Sequence, residues 1–566
     1  MTATNQLTGA EALVRLLQFH SVKYIFGLCG DTSLPFYDAL YRLDHGMIHI
    51  LTRDERSAAY MADGYARVSG KVGVCEGPSG GGATYILPGV VEANESSIAL
   101  LALTTDISVS SRGRFTLTEL DQEALFRPLT KLTRVIDRAA DIPKYVRAAF
   151  TQMTTGRPGA AHLGLPFDVL NGPVDADEVW GDAALAAFPA RRTASDPAAV
   201  AKAAELIAGA RNPLFICGGG VVIAGAEAEL QALAEALGAP VATTISGQGS
   251  VGDDHPLAVG VTGSNGGTRE TRELVALADL VVFVGCRAGS VTTERWRYPA
   301  PGKTKIVHID VDPGVIGTTY RADAALVGDA RLALAALRQA LGPTRPSAGK
   351  TLDAAAVAHA KARKFAAFRA LAQSDERPIR PERVVAELQA VLPQDAILVA
   401  DPGTPCPYFS AYFTQTASGR QFISNRAHGA LGYAMSAAVG ASFGRPGKKI
   451  VAVMGDGSFG FTAGELETIT RLGVPLAMVV ISNAAYGWIK AGQKSGYQQR
   501  YFSVDFSRTD HAKVAAAFGV KSWRVEDPTA LRGILREAVE HSGPTLVDVI
   551  AQPLHEARAP VSEWVA

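Results

Sequence analysis

Residues 448–487 read KKIVAVMGDGSFGFTAGELETITRLGVPLAMVVISNAAYG, and the rest of the chain is organised around them. Ile450 to Met454 is an uninterrupted apolar run of strand length, the pattern of a buried parallel strand. Thr462-x-x-Glu465 has the form of a capping box that opens a helix, Gly473 is placed to stop it, and Pro475 to Ile481 is a second apolar run. Strand, helix and strand predict a βαβ unit. Gly455-Asp456-Gly457 then falls at the carboxyl end of the first strand. Asn483 falls at the end of the second, 27 positions later, on the edge where open α/β sheets bind ligands. An acid and an amide flanked by glycines suit a metal-bridged diphosphate. Mg²⁺ takes about six oxygens, usually one or two carboxylates plus substrate phosphates, and glycine lets backbone approach a diphosphate closely. The plain alternative is an Asp-Gly turn and an Asn turn that hold no ligand.

GDGS, then a helix, a strand and Asn483-Ala-Ala-Tyr-Gly, resembles the signature of thiamine-diphosphate enzymes of the acetohydroxyacid synthase, pyruvate oxidase and pyruvate decarboxylase superfamily. The resemblance implies that Asp456, Asn483 and the carbonyl of Ala485 coordinate Mg²⁺, and that Gly455, Gly457, Ser458, Tyr486 and Gly487 line the cofactor. The family often has paired asparagines where this chain has Ser482-Asn483.

With 566 residues the chain exceeds one hydrophobic core and predicts two to four domains. Hydrophobic residues make up 47%, and Lys+Arg balance Asp+Glu at 55 each, which argues against nucleic acid and membrane surfaces as partners. No apolar run approaches the roughly 18 residues of a bilayer span, and the first residues lack the pattern of a signal peptide. Thr8-x-x-Glu11 reads instead as the capping box of a first amphipathic helix. Cys29, Cys75, Cys217, Cys286 and Cys406 are scattered without metal-ligand spacing, so reduced thiols in a cytoplasmic protein are expected.

The fold class expected is α/β, with three doubly wound parallel-sheet domains. Residues 1–172 alternate helical patterns with apolar runs at Tyr24–Leu28, Ile48–Leu51, Val72–Cys75, Ile98–Leu103 and Ala160–Leu165. A polar, proline-bearing linker from Asn171 to about Pro197 precedes a central block, 195–342, with strands near Pro213–Cys217, Pro240–Thr243, Leu280–Gly285 and Lys305–Val311. GPTRPSAGK from Gly342 is a second linker. A long Ala/Lys/Arg-rich helix and a third block, 375–553, follow, and residues 554–566 form a tail.

Thr52 to Arg67 matches the family pattern R-x-E-x-x-A-x-x-x-A-x-G-Y-A-R, which implies that Glu55 hydrogen-bonds N1′ of the cofactor's aminopyrimidine. An apolar surrounding raises the pKa of a carboxyl group and lets it hand a proton to the ring, whose 4′-imino nitrogen then strips the proton from C2 of the thiazolium. On its own Glu55 reads as a helix-start residue favoured by the macrodipole. Gly77-Pro78-Ser-Gly-Gly-Gly-Ala-Thr84 resembles the turn over the pyrimidine, with GGG for GPG and Tyr85 where Asn is usual. Asp31, after Gly30, is either a helix N-cap or, by resemblance to pyruvate decarboxylases, an acid facing the reacting carbon. The paired histidines of those decarboxylases are absent from Thr104–Gly113.

In the third block, Asp401-Pro-Gly403-Thr404 resembles the turn at the cofactor diphosphate. By the same resemblance the Gly429 carbonyl meets the 4′-amino group and Leu431 is the wedge that bends the cofactor; His428 reads as an ordinary histidine. Trp488 and Lys490 are substrate-side candidates, with a packed indole and a solvated lysine as the alternative, and the tail with His555 and Trp564 either covers the site or packs on the surface. The central block's GGGVVIAG, GCRAGSVTTERW and IVHIDVDP make bound FAD possible but do not favour it. The resemblance implies a thiamine-diphosphate and Mg²⁺ enzyme that decarboxylates a 2-oxo acid and transfers or releases the aldehyde unit, an acetolactate-synthase-like carboligase. Small oxo-acid or ketone substrates and a homodimer or homotetramer follow from it. The alternatives are a non-decarboxylating lyase or hydrolase of a diketone or acyloin, and a cofactor-binding homologue without turnover.

Overall fold

The computed structural model describes residues 6–343, 349–557 and 559–563. Three six-stranded, all-parallel sheets carry the fold. The first consists of β1 (Tyr24–Gly27), β2 (Ile48–Leu51), β3 (Gly73–Gly77), β4 (Leu100–Asp106), β5 (Leu132–Val135) and β6 (Ala160–Pro166), in the order β2-β1-β3-β4-β6-β5. The second consists of β7 (Pro213–Cys217), β8 (Val241–Thr243), β9 (Ala258–Val261), β10 (Leu280–Val284), β11 (Lys305–Asp310) and β12 (Ala324–Val327), in the order β9-β8-β7-β10-β11-β12. The third consists of β13 (Ile397–Ala400), β14 (Phe422–Ser424), β15 (Ile450–Gly455), β16 (Leu476–Ser482), β17 (Lys521–Val525) and β18 (Thr545–Ile550), in the order β14-β13-β15-β16-β18-β17. Each central strand is an apolar run buried on both faces, which is what helices packed on both sides of a parallel sheet demand. In each sheet the order reverses beside its first strand, and there the crevice for a ligand opens.

The chain forms two compact units. One comprises the first 191 positions with Ala427–Gly447 and Thr462–Leu472, and the other comprises the remaining described residues, including the second and third sheets. In the first unit the helix Glu55–Ser69 lies against the helix Tyr433–Gly444 along a seam with no room for side chains. A Cβ on Gly64 would stand 2.1 Å from Ala437 O, and one on Gly440 would stand 1.8 Å from Met61 O. The small residues of the Glu55 motif are therefore packing residues.

The reading of Thr462-x-x-Glu465 as a capping box is corrected. The helix begins at once with Asp456–Thr462, Thr462 makes no cap bond, and Glu465 accepts from Arg53 N at 2.9 Å and Thr468 Oγ1 at 2.8 Å. A helix that starts on the acid leaves no turn for a second cap. Gly473, at φ +60°, does end the segment. The Thr8–Glu11 box forms as read. The 171–197 stretch has structure of its own: Pro173–Asp175 pairs antiparallel with Gln6–Thr8. Most of GPTRPSAGK, and Trp564, lie outside the described residues. The tail before Trp564 pairs with the central block, through Gly266 N to Pro560 O at 2.9 Å and Ser562 N to Ser264 O at 3.0 Å. No helix among the described residues is long and apolar enough to cross a membrane.

Candidate active site

At the carboxyl end of the third sheet, β15 delivers Asp456 into a turn made by the residues after β16. Asp456 Oδ2 accepts the backbone N–H groups of Asn483 at 2.8 Å and Ala484 at 2.6 Å, and Oδ1 accepts Gly457 N at 2.9 Å. Two successive amides converge on one oxygen because Ala484 is left-handed, at φ +56°, a strained conformation for a residue with a Cβ. Asn483 Nδ2 reaches Thr404 Oγ1 at 3.4 Å, so the loops after β13 and β16 meet. A Cβ on Gly487 would touch both Thr404 Oγ1, at 3.2 Å, and Asn483 Nδ2, at 3.3 Å. Tyr486 N and Phe506 N bond Val504 O and Ala484 O, which leaves the Ala485 carbonyl outside that bridge. Ser458 is buried beside Asp456, and Tyr486 lies over Gly457 and meets Phe506 edge-on.

These residues fit a Mg²⁺-bridged diphosphate. Asp456 is 5% exposed, and burial pushes its carboxyl group up, against three backbone N–H groups that pull it down. A buried acid in that balance suits a cation as its partner. One carboxylate, one carboxamide and one carbonyl suit a hard ion that takes its other oxygens from phosphate and water. No group of three His, Cys, Asp or Glu among the described residues forms a metal cage. Gly403 and Gly455 have open space where a Cβ would be.

At the carboxyl end of the first sheet, Glu55 opens its helix after the N-cap Asp54. It is 8% exposed, and its Cγ lies 3.4 Å from where a Gly77 Cβ would be. Burial raises its pKa against its own backbone N–H, which pulls it down; Asp54 and Glu76 add to the rise, and Arg56 opposes it. Gly30 and Pro78 are in close contact, and Thr32 links Ser79 at 3.1 Å to Thr105 at 2.7 Å. Asp31 is exposed and does not cap: Gly30 is the N-cap of its short turn, and Ser33 holds that residue's N–H.

Gly429 and Leu431 belong to the first unit, where buried Glu92 accepts the N–H groups of Ala427 and His428 and pairs with Arg67. Lys490 pairs with Asp505 at 2.6 Å, Trp488 packs on the third sheet's core, and His555 stacks edge-on against Tyr501. Glu76 escaped the sequence reading. It is buried at the end of β3, and its Oε1 takes the Tyr37 hydroxyl and lies 3.3 Å from His49 Nε2. An acid inside the apolar run GVCEG was the available signal.

Residues 7–125, 200–337 and 401–549 match the N-terminal TPP binding, central, and C-terminal TPP binding domains of thiamine pyrophosphate enzymes. The chain belongs to that family. Over 556 residues, 97% of this chain and 92% of the relative, it is 36% identical to a probable acetolactate synthase large subunit of Methanocaldococcus jannaschii. It is 32% identical to the acetolactate synthase large subunit of Corynebacterium glutamicum, over 97% of this chain and 87% of the relative. With acetolactate synthase isozyme 3 of Escherichia coli it is also 32% identical, over 94% and 92%. This thiamine pyrophosphate enzyme is thus a carboligase or decarboxylase by family, and its α/β class is as read from the sequence.

Proposed function

We propose that the chain is a Mg²⁺-dependent acetolactate-synthase-like carboligase that decarboxylates pyruvate or a related 2-oxo acid and transfers the two-carbon unit to a second carbonyl. The observation that carries the reading is the contrast in donors between Glu55, whose carboxyl group is met by its own backbone N–H alone, and Asp456, which accepts three backbone N–H groups from the turn around it. Asp456, Asn483 and the Ala485 carbonyl hold the metal, and Thr404 and the amides near Gly457 and Gly487 hold the diphosphate. Thiamine diphosphate, when bound, supplies the nucleophilic carbon and the electron sink for loss of CO₂. Glu55 holds a proton at its buried carboxyl group, which it would share with the pyrimidine of the bound cofactor. Gly429 and Leu431 would orient the pyrimidine, Pro78 would belong to the turn that covers it, and Asp31 would serve the substrate.

The active form is at least a homodimer, because in the family the glutamate domain of one subunit completes the metal site of its neighbour. A cytoplasmic setting accords with five cysteines that all stand free among the described residues. The second sheet has the order of dinucleotide-binding folds, but its glycines report on packing: Cβ atoms on Gly218 and Gly220 would strike Gly285. Thermal stabilisation by thiamine diphosphate with Mg²⁺ tests the cofactor site, since a ligand that binds only the native state raises its stability. Product analysis with pyruvate tests the rest: acetolactate and CO₂ support the reading, and diketone consumption without CO₂ release overturns it.

A further inference from the structure

Behind the Asp456–Asn483 turn lies a buried polar network. Ser482, the last residue of β16, donates to Asp548 of β18. Asp548 pairs in register with Val480, so it reaches Ser482 diagonally across one face of the strand pair. His511 Nδ1 lies 3.1 Å from Ser482 Oγ and 3.3 Å from Asp548 Oδ1, and its backbone N–H donates to Asp548 Oδ2 at 3.1 Å. The His511 ring meets Phe459, three residues past Asp456, edge-on at 5.1 Å. Arg524 Nη1 stands 4.0 Å from Asp548 Oδ2.

A carboxylate with no exposure is costly unless fully bonded. Here the bonds go to the strand that ends in Asn483 and to the helix start at His511, whose ring braces the helix that begins with Asp456. A cavity of about 40 Å³, bounded in part by Asp456, Ser482, Asn483, His511 and Arg524, opens beside them. Close packing is interrupted there, so hydrogen bonds fix the geometry of the turn.

We propose that Ser482, Asp548 and His511 are positioning residues for the metal turn: Asp548, acting through Ser482, holds Asn483 at the separation from Asp456 that a divalent cation requires. This rests on the reading of Asp456 and Asn483 as metal ligands. Outer partners of this kind typically set metal affinity by 10–100-fold.

The test is titration of the protein with Mn²⁺ in the presence of thiamine diphosphate, with free Mn²⁺ read by electron paramagnetic resonance, alongside the melting temperature without metal. Ser482→Ala is expected to weaken Mn²⁺ binding about 10-fold while the metal-free melting temperature moves by less than about 3 °C. Ser482→Thr, which keeps the hydroxyl, is expected to bind within about 2-fold of the parent, and Asp548→Asn repeats the loss by a different route. Unchanged affinity in Ser482→Ala and Asp548→Asn overturns the proposal, as does an equal loss in Ser482→Thr. Asp456→Asn in the same titration separates the two claims. If it binds Mn²⁺ like the parent, the metal reading itself falls; if it alone loses binding, only the network falls.

Discussion

The orders β2-β1-β3-β4-β6-β5 and β14-β13-β15-β16-β18-β17 are one topology used twice, yet the two sheets end differently. Past β15 and β16 the backbone turns its N–H groups onto Asp456, and glycines leave open space beside it. Past β2 the chain places Glu55 at a helix start between Asp54 and Glu76, where only its own backbone N–H answers it and burial favours its proton. A parallel sheet offers the same crevice in both cases. Burial raises the pKa of both carboxyl groups, and on the proposed reading the three turn donors at Asp456 are what suit it to a cation, where Glu55 stores a proton.

The largest effect that would break this contrast is expected from Asp456→Asn. It removes the charge and turns a donor toward one side of the three backbone N–H groups that Asp456 accepts, so Mg²⁺-dependent binding of thiamine diphosphate should fall by at least about 100-fold in a calorimetric titration. Glu55→Gln should leave that binding within about 10-fold and lower turnover by at least about 100-fold, with C2 hydrogen exchange slowed to match. The sign for stability runs the other way. Because the folded pKa of Glu55 is raised, the native state keeps a proton that the unfolded chain releases, and stability drops as pH rises through that window. Glu55→Gln should therefore raise the cofactor-free melting temperature at neutral pH by about 1–2 °C. If the two variants lose binding equally, the division into a binding acid and a proton-storing acid fails.

A smaller effect sharpens the contrast in packing. Gly440→Ala drives a methyl group into the Met61 carbonyl and should cost ~3 kcal/mol in denaturant unfolding, whereas Gly460→Ala, in the helix after Asp456, meets nothing within 4 Å and should be close to neutral. Similar losses at both positions would show that the seam in the first unit is nothing special.

The apolar-run reading caught strands that are buried on both faces, such as Leu280–Val284 and Leu476–Ser482. It passed over two edge strands: Leu132–Val135, where Thr133 and Arg134 dilute the run, and Ala324–Val327, apolar but only four residues long. Asp456, Asn483 and Glu55 were legible because strand ends and helix starts are marked locally by Gly, Asn and acid. Asp548, His511 and Glu76 were not. Each lies inside or beside an element, and its partner is brought in by a neighbouring strand or helix from elsewhere in the chain. The capping box failed for a related reason: Glu465 was claimed by Arg53, a residue no local pattern could pair with it.

The last effect concerns acid, and it separates the sheets by what lies in their middles. His162, on β6 of the first sheet, has no exposure, stacks on Phe126 at 3.7 Å, and is bonded to Thr104 at 2.6 Å and Thr133 at 2.8 Å. Burial without a charged partner pushes its pKa down to about 3 from the ordinary 6.5. Above pH 6.5 neither folded nor unfolded chain protonates it, so it contributes no slope. Between 6.5 and 3 the unfolded chain takes up a proton that the native state refuses, and stability falls with pH by at most ~1.4 kcal/mol per unit. His162→Gln keeps a donor and an acceptor but cannot titrate. The parent should therefore exceed it in melting temperature by the most near pH 7, and the gap should close steadily toward pH 4. A gap that stays constant would mean that His162 is no more than a packing residue, and that the first sheet's polar interior does not set its sensitivity to acid.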